Sequence, residues 1–289
     1  MAQPADILVI GGGIAGLSAA AELSDHVRVM VLEAEDQIGF HSSGRSATML
    51  HYALGDRVVR ALTLASRTYF DAPPQDDLVL GRRLAVLIHA REDEREEHDA
   101  LDAEIAPFAS LERLDAEGVH ELCPLLKEDA LFGIADRNGI RLDPHALLQA
   151  NLKRLRANGS ELHTGRRIAA LEHQPGGWTA TTADGERYSA AIVINAAGSW
   201  ADQVAELARV TPLNLQPKRR TIITFDAPRG ADIDNLPFAK TVGDELYFAP
   251  ESGRLFASPM DEVPSDPCDA QPDEMEVALA AFRMEERTV

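Results

Sequence analysis

The stretch IGGGIAGLSAA, residues 10–20, decides how this chain is read, and a second glycine-rich passage, GFHSSGRSA, follows at 39–47. Ahead of the first, DILVI (6–10) is an acid followed by four apolar residues, the pattern of a strand buried on both faces. Gly11, Gly13 and Gly16 stand at the G-x-G-x-x-G spacing, and the Ala- and Leu-rich run 17–23 predicts a helix. The three glycines have separate uses: Gly11 for a tight turn, Gly13 for the approach of a pyrophosphate to the backbone, Gly16 for close helix–strand packing. The helix N-terminus would offer the phosphates unpaired N–H groups and a partial positive charge.

An ordinary tight turn also uses glycines, so the context decides. VRVMVLEAE (27–35) predicts a second strand ending in Glu33, which lies 22 positions after Gly11 (33 minus 11), close to the roughly 20 that separate such a motif from a ribose-binding acid. A carboxylate there accepts hydrogen bonds from both ribose hydroxyls. Strand, turn, helix, strand and acid in that order indicate a dinucleotide. GFHSSGRSATML (39–50) then follows where a nicotinamide domain would continue into a helix. The hydroxyls and backbone N–H groups of Ser42, Ser43, Gly44, Arg45 and Ser46 suit a further stretch of phosphate and the ribityl chain of a flavin. The alternative at this loop is a flexible polar linker.

Composition narrows the partners. The chain has 289 residues, 45 % hydrophobic and 26 % charged, enough for a core and for two lobes. Its formal charge of -19 repels phosphate backbones and anionic lipid, so nucleic acid is excluded as a partner class. Cys123 and Cys268 are far apart and lack metal-ligand spacing, which predicts no metal site and suits a reducing cytoplasm. The uncharged run 7–21 falls short of the roughly 20 residues of a spanning helix, lacks a basic leader and is interrupted by three glycines, so no membrane segment is expected.

Further along, 57–70 predicts a helix and DAPPQDD (71–77) a turn out of the first segment. RRLAVLIHA (82–90) predicts one strand, and REDEREEHDALDAEI (91–105) a helix whose charges are solvated. DPHALLQANLKRLRANG (143–159) has an Asp cap, Pro at the first helical position and a terminal Gly. WTATTADGERYSAAIVINAAG (178–198) predicts a hairpin about Asp184 and Gly185, then a buried strand. In TPLNLQPKRRTIITF (211–225), Lys218, Arg219 and Arg220 stand out in so acidic a chain, as carboxylate ligands or as a solvated strand edge.

The passages DILVIGGGIAGLSAA, VLEAE, GFHSSGRSA, RALTLASRTYFD, INAAGSWAD and LQPKRRT resemble the D-amino-acid oxidase superfamily of FAD enzymes, and within it they are most similar to bacterial D-arginine dehydrogenase, nearly end to end. The resemblance implies an α/β fold in which a Rossmann-like FAD-binding domain (1–75 and 138–208) interleaves with an α+β substrate domain on a mostly antiparallel sheet (76–137 and 209–289). It implies FAD as cofactor, with Ala15, Ala34, Ala47, Ile168 and Gly198 joining the glycines, Glu33 and the Ser42–Ser46 loop around it. It puts Arg220 on the substrate carboxylate and Tyr247 on the strand facing the flavin. The implied reaction is hydride transfer from a D-amino acid to flavin, giving an imino acid that hydrolyses to a keto acid and ammonia; N-methyl amino acids and 2-hydroxy acids share the same handle, and a flavin-binding fragment without turnover is a further alternative. No motif specifies the electron acceptor.

Departures from that pattern bear on the substrate pocket. Leu84 stands where the arginine dehydrogenase has a carboxylate for the substrate's distal positive charge, and Met49, His51 and Leu54 replace its His, Thr and Tyr. A buried guanidinium without a partner would cost several kcal/mol, so a neutral or apolar substrate side chain is expected rather than a basic one. His51 is either catalytic or polar lining. QPDEMEVALAAFRMEERTV (271–289) predicts a helix with Pro272 at its start, Asp273 and Glu274 in its first turn, and an apolar stripe of Leu, Ala and Phe. The resemblance implies a further stretch returning to the FAD domain, so a truncated member with exposed apolar surface and weakened FAD retention is expected.

Overall fold

The computed structural model describes residues 5–73 and 78–289, so most of the exit turn expected at 71–77 lies outside the described residues. The chain divides into two compact units. The first comprises residues 1–48, 143–217 and 265–269, and the second 49–142, 218–264 and 270–289. Each is interleaved, but the breaks fall at 48, 142 and 217 rather than at 75, 137 and 208, so helix Arg57–Asp71 belongs to the second unit.

The first unit is built on a six-stranded sheet. Its order is Ile168–Gln174, Gly177–Thr182, Arg187–Asn195, Ala5–Ile10, Val29–Leu32 and Glu161–His163. The last four run parallel and the first three antiparallel. Strand alternation divides Ala5–Ile10 between two cores: Ile7 and Val9 pack with Leu17, Leu148 and Leu152 of the helices, and Leu8 and Ile10 with Leu171, Tyr188 and Val204. Helix Ile14–Ser24 begins three residues earlier than its Ala/Leu run, and the second strand, expected to end in Glu33, runs Val29–Leu32, so that Glu33 lies just beyond it. Helix Pro144–Ala157 forms as read, with the Asp143 side chain accepting from the Ala146 N–H at 2.9 Å.

The second unit centres on a seven-stranded, mostly antiparallel sheet ordered Ile223–Phe225, Arg254–Ser258, Tyr247–Glu251, Phe238–Thr241, Val86–Ala90, Phe132–Asp136 and Glu112–Leu114. One face carries Leu87, Ala239, Phe248, Leu255 and Ala257, packed with Val119 and Met284 of helices Ala116–Leu122 and Glu274–Arg287. Alternation sends Phe238, Lys240, Tyr247, Glu251 and Phe256 to the other face, through the registers Lys240↔Tyr247 and Ala249↔Phe256. One face is therefore apolar core and the other aromatic and charged. A three-stranded sheet orders Met49–Leu50, Ile140–Leu142 and Gly81–Arg83.

Three expectations are corrected here. The run 82–90 is two strands in two sheets, broken at Leu84 and Ala85, where the Leu84 N–H turns to the Gly139 carbonyl at 3.0 Å. The charged run 91–105 is helical, but its charges are not all solvated: Glu94 makes a largely buried ion pair with Arg287, which also reaches Glu245 at 3.0 Å. The last helix starts at Glu274 with Asp273 as its cap, so Pro272 lies outside it, and Phe282 is exposed while Ala280, Met284 and Arg287 form the buried stripe. No helix among the described residues is long and apolar enough to cross a membrane.

Candidate cofactor and substrate sites

The first site grows from the turn between strand Ala5–Ile10 and helix Ile14–Ser24. Gly11 has a φ of +113°, and a Cβ on it would lie 2.3 Å from the Ala196 carbonyl oxygen, so this turn requires glycine. A Cβ on Gly16 would lie 1.9 Å from the Gly11 oxygen, which makes it the packing glycine. At Gly13 the nearest atom is the Ser43 hydroxyl at 3.1 Å, so the space in front of the helix N-terminus is open on that side. Helix Ile14–Ser24 has no side-chain cap of its own; the Ile14 N–H donates to Ser43 Oγ at 3.0 Å, which brings the serine loop to the helix end.

Glu33 is buried, and both of its oxygens are fixed: Oε2 accepts from the Gly12 N–H at 2.6 Å and Oε1 from the Glu35 N–H at 2.8 Å. The carboxylate keeps further lone pairs for a ligand. A cavity of about 550 Å³ adjoins these groups, within the range of small-molecule sites. Of the expected cofactor residues, Gly11, Gly13, Ala15, Glu33, Ala34, Ser42, Ser43, Ile168 and Gly198 line it. Gly16, Gly44, Arg45, Ser46 and Ala47 do not line it. The Arg45 guanidinium pairs with Asp269 at 2.6 Å and lies 4.7 Å over the Phe40 ring.

The cavity also gathers residues the sequence did not single out. His41 packs on Trp200 at 4.5 Å and meets Glu35 at 3.1 Å, and Arg167 reaches the same Glu35 oxygen at 3.2 Å. The basic pair following Gly165 was the one local signal available for Arg166 and Arg167. An open cradle before a helix N-terminus and a fixed, buried carboxylate with spare acceptor capacity fit the pyrophosphate and ribose of a dinucleotide.

In the second unit, Arg220 lies in a break between the short strands Lys218–Arg219 and Ile223–Phe225 rather than within a continuous strand. The Asp261 carboxylate holds that break by accepting from the Thr221 N–H at 2.6 Å and its hydroxyl at 3.0 Å. The guanidinium donates to the Asp261 carbonyl at 3.2 Å and to Glu262 at 2.9 Å, so it is oriented by an ion pair and about a third of it remains exposed. Tyr247 is buried on the aromatic face, 5.1 Å from Phe238 and 6.1 Å from Phe256. Burial pushes its hydroxyl above the usual value, opposed by a hydrogen bond with Ser258 and by the charges of Arg220 and Arg141.

Met49 sits opposite Arg141 across a strand pair, and His51 is buried 5.7 Å from the Phe238 ring. Burial, aided by Lys240, lowers the His51 imidazole to about 3, so it is neutral at physiological pH. Leu84 is buried, whereas Leu54 is about half exposed. The sequence missed Arg141, which lies over Phe256 at 5.0 Å and pairs with Glu251 at 2.7 Å; a lone Arg in a short strand gave no signal.

A parallel α/β core with a glycine turn, a buried acid after the second strand and a cavity beside both has the form of a dinucleotide-binding fold. The family model for DAO, FAD dependent oxidoreductases, matches residues 6–284, and the chain belongs to that family, whose cofactor is FAD. L-2-hydroxyglutarate dehydrogenase of Salmonella houtenae is 27 % identical over 218 residues, covering 72 % of this chain and 50 % of that protein. The chain spans about half the length of such curated relatives. The FAD-bound L-alpha-glycerophosphate oxidase of Mycoplasma pneumoniae superposes with a TM-score of 0.88 at 17 % identity, over 99 % of this chain and 79 % of that one. Glycine oxidase from Geobacillus kaustophilus gives 0.82 at 18 % identity, over 99 % and 80 %. These two establish the same mixed α/β flavoprotein fold.

Proposed function

We propose that this chain is an FAD-dependent oxidoreductase that oxidises the carbon bearing the amino or hydroxyl group of a small α-substituted carboxylic acid. The observation that carries the proposal is the cradle in front of Gly13 beside the fixed Glu33 carboxylate, in a family whose cofactor is FAD. In that assignment Glu33 accepts the ribose hydroxyls, the N-terminus of helix Ile14–Ser24 with Ser42 and Ser43 receives the pyrophosphate, and Gly198 and Ile168 lie along the cavity wall. Bound FAD supplies the two-electron acceptor.

The second unit supplies orientation and charge. Arg220, the residue that the superfamily resemblance puts on the substrate carboxylate, receives that group in competition with Glu262. Tyr247, held protonated by burial, donates a hydrogen bond from its hydroxyl. His51, neutral and enclosed, acts as polar lining and not as the proton acceptor.

The finer reading is a D-amino acid, as the similarity to D-arginine dehydrogenase implies. A 2-hydroxy acid is the second reading, favoured by the match to L-2-hydroxyglutarate dehydrogenase across 72 % of this chain. The test is to express the full chain, measure flavin absorbance per protein, and assay D- and L-amino acids, N-methyl amino acids and 2-hydroxy acids with a dye acceptor and with oxygen. Flavin in the protein with turnover of one class supports the proposal and selects the substrate; protein that is folded but colourless after incubation with FAD overturns it.

A further inference from the structure

We infer that the substrate carries a second carboxylate, which Arg141 receives, so that the enzyme selects dicarboxylic amino or hydroxy acids; this rests on the assignment of the first carboxylate to Arg220. Arg141 lies on Ile140–Leu142, the central strand of the three-stranded sheet, with Met49 directly opposite on one side and Arg82 on the other. Its side chain is only 16 % exposed. Glu251 accepts from one nitrogen, the Phe256 ring lies under the plane, and Nη1 is buried with no acceptor among the described residues.

A guanidinium needs a planar acceptor on its fork, and a desolvated N–H without one is costly, so this arrangement calls for another anion. The surroundings agree. Arg82, across the strand pair, donates to the carbonyl of Pro250, the residue before Glu251, at 3.4 Å, so a second cation reaches the same strand in a chain whose formal charge is -19. The ring of Phe256 meets Tyr247 edge to face and carries the Arg141 guanidinium over it, and both Arg141 and Arg220 act electrostatically on the Tyr247 hydroxyl. The two guanidiniums thus serve one aromatic wall. Leu84 leaves a basic substrate side chain without its acid, and Arg141 gives an acidic one its cation, which replaces the expectation of a neutral or apolar side chain.

The test is isothermal titration of the full chain, loaded with FAD, with glutarate and with butyrate, in the wild type and in Arg141→Met and Arg220→Met. Glutarate is expected to bind roughly tenfold or more tightly than butyrate, Arg141→Met to remove about that preference while leaving butyrate within about threefold, and Arg220→Met to weaken both. Equal binding of the two acids by the wild type, or an equal loss of both in Arg141→Met, overturns the inference and leaves Arg220 in place. Unchanged butyrate binding in Arg220→Met instead overturns the assignment of the first carboxylate. Should Arg141→Met fail to fold, Glu251→Gln keeps the guanidinium and frees it; stronger glutarate selectivity is expected there, and unchanged selectivity counts against the inference.

Discussion

The Gly12 N–H and Glu33 Oε2 are joined at 2.6 Å, so the acid after the second strand is tied, across 21 positions, to the turn after the first. The Glu35 N–H holds the other oxygen at 2.8 Å. Two parallel strands end side by side, and the Glu33 carboxylate is thereby fixed by the backbone itself; in the assignment proposed above it receives the ribose. Glu33→Gln replaces one of these acceptors with an amide NH₂ facing a backbone donor. The expected cost is about 1–3 kcal/mol, or roughly ten- to a hundredfold in FAD affinity. Titration of the apoprotein with FAD checks this.

Gly13 and Gly16 should separate cofactor binding from folding. Gly16→Ala puts a methyl group 1.9 Å from the Gly11 oxygen and should destabilise the protein by several kcal/mol, because backbone must move. Gly13→Ala meets only the Ser43 hydroxyl, at 3.1 Å, so the fold should survive while FAD occupancy falls at least about tenfold from crowding of the pyrophosphate. Thermal melting beside flavin stoichiometry distinguishes the two; equal flavin content in Gly13→Ala and wild type would place the phosphates elsewhere.

Acid should weaken this protein from the histidine range downward. His51 and His89 are fully buried and neutral, burial lowering each to about 3, with Lys240 adding to the effect at His51 and Arg287 at His89. Unfolded imidazoles titrate near 6.5 and bind protons that the folded ones do not. Between about pH 6.5 and 3 the unfolded chain therefore holds more protons, and stability falls as pH is lowered through that window. Denaturant titrations at pH 7.5 and 5 check the slope, and His89→Leu should flatten it.

The ion pair between Glu94 and Arg287 fastens helix Glu274–Arg287 to the charged helix of residues 95–105 and its lead-in turn. Arg287→Met leaves Glu94 half-buried and unpaired, at an expected cost on the order of 3 kcal/mol. Burial raises the Glu94 carboxyl, but hydrogen bonds from Arg287 and the Arg91 N–H outweigh it and hold the group below its ordinary 4.5. This contribution is thus present above 4.5 and lost as pH falls further, through the lowered folded value. Wild type and Arg287→Met should converge in stability at the acid end of a pH series.

The first unit was the more legible because its signals are local. A glycine turn, an apolar strand and an acid at a fixed distance each report on neighbours within some thirty residues, and backbone sterics at Gly11 and Gly16 admit few substitutes. Asp143 and Pro144 announced their helix for the same reason. Boundaries were less legible: Glu33 looked like the end of the second strand, yet the strand stops at Leu32, and the Glu33 N–H makes the last ladder bond, to the His163 carbonyl.

By itself the sequence determined the glycine turn after the first strand, the acid that follows the second and the Asp143-capped helix, since these follow from spacing and local chemistry. Tertiary structure decided which charges meet. Arg45 is drawn to Asp269, 224 positions away, Arg287 to Glu94 across 193, and Arg141 to Glu251 across 110. Ion pairs are made between side chains brought together by the packing of distant strands and helices, and no local pattern records which partner a solvated-looking arginine will find when its surroundings lose water.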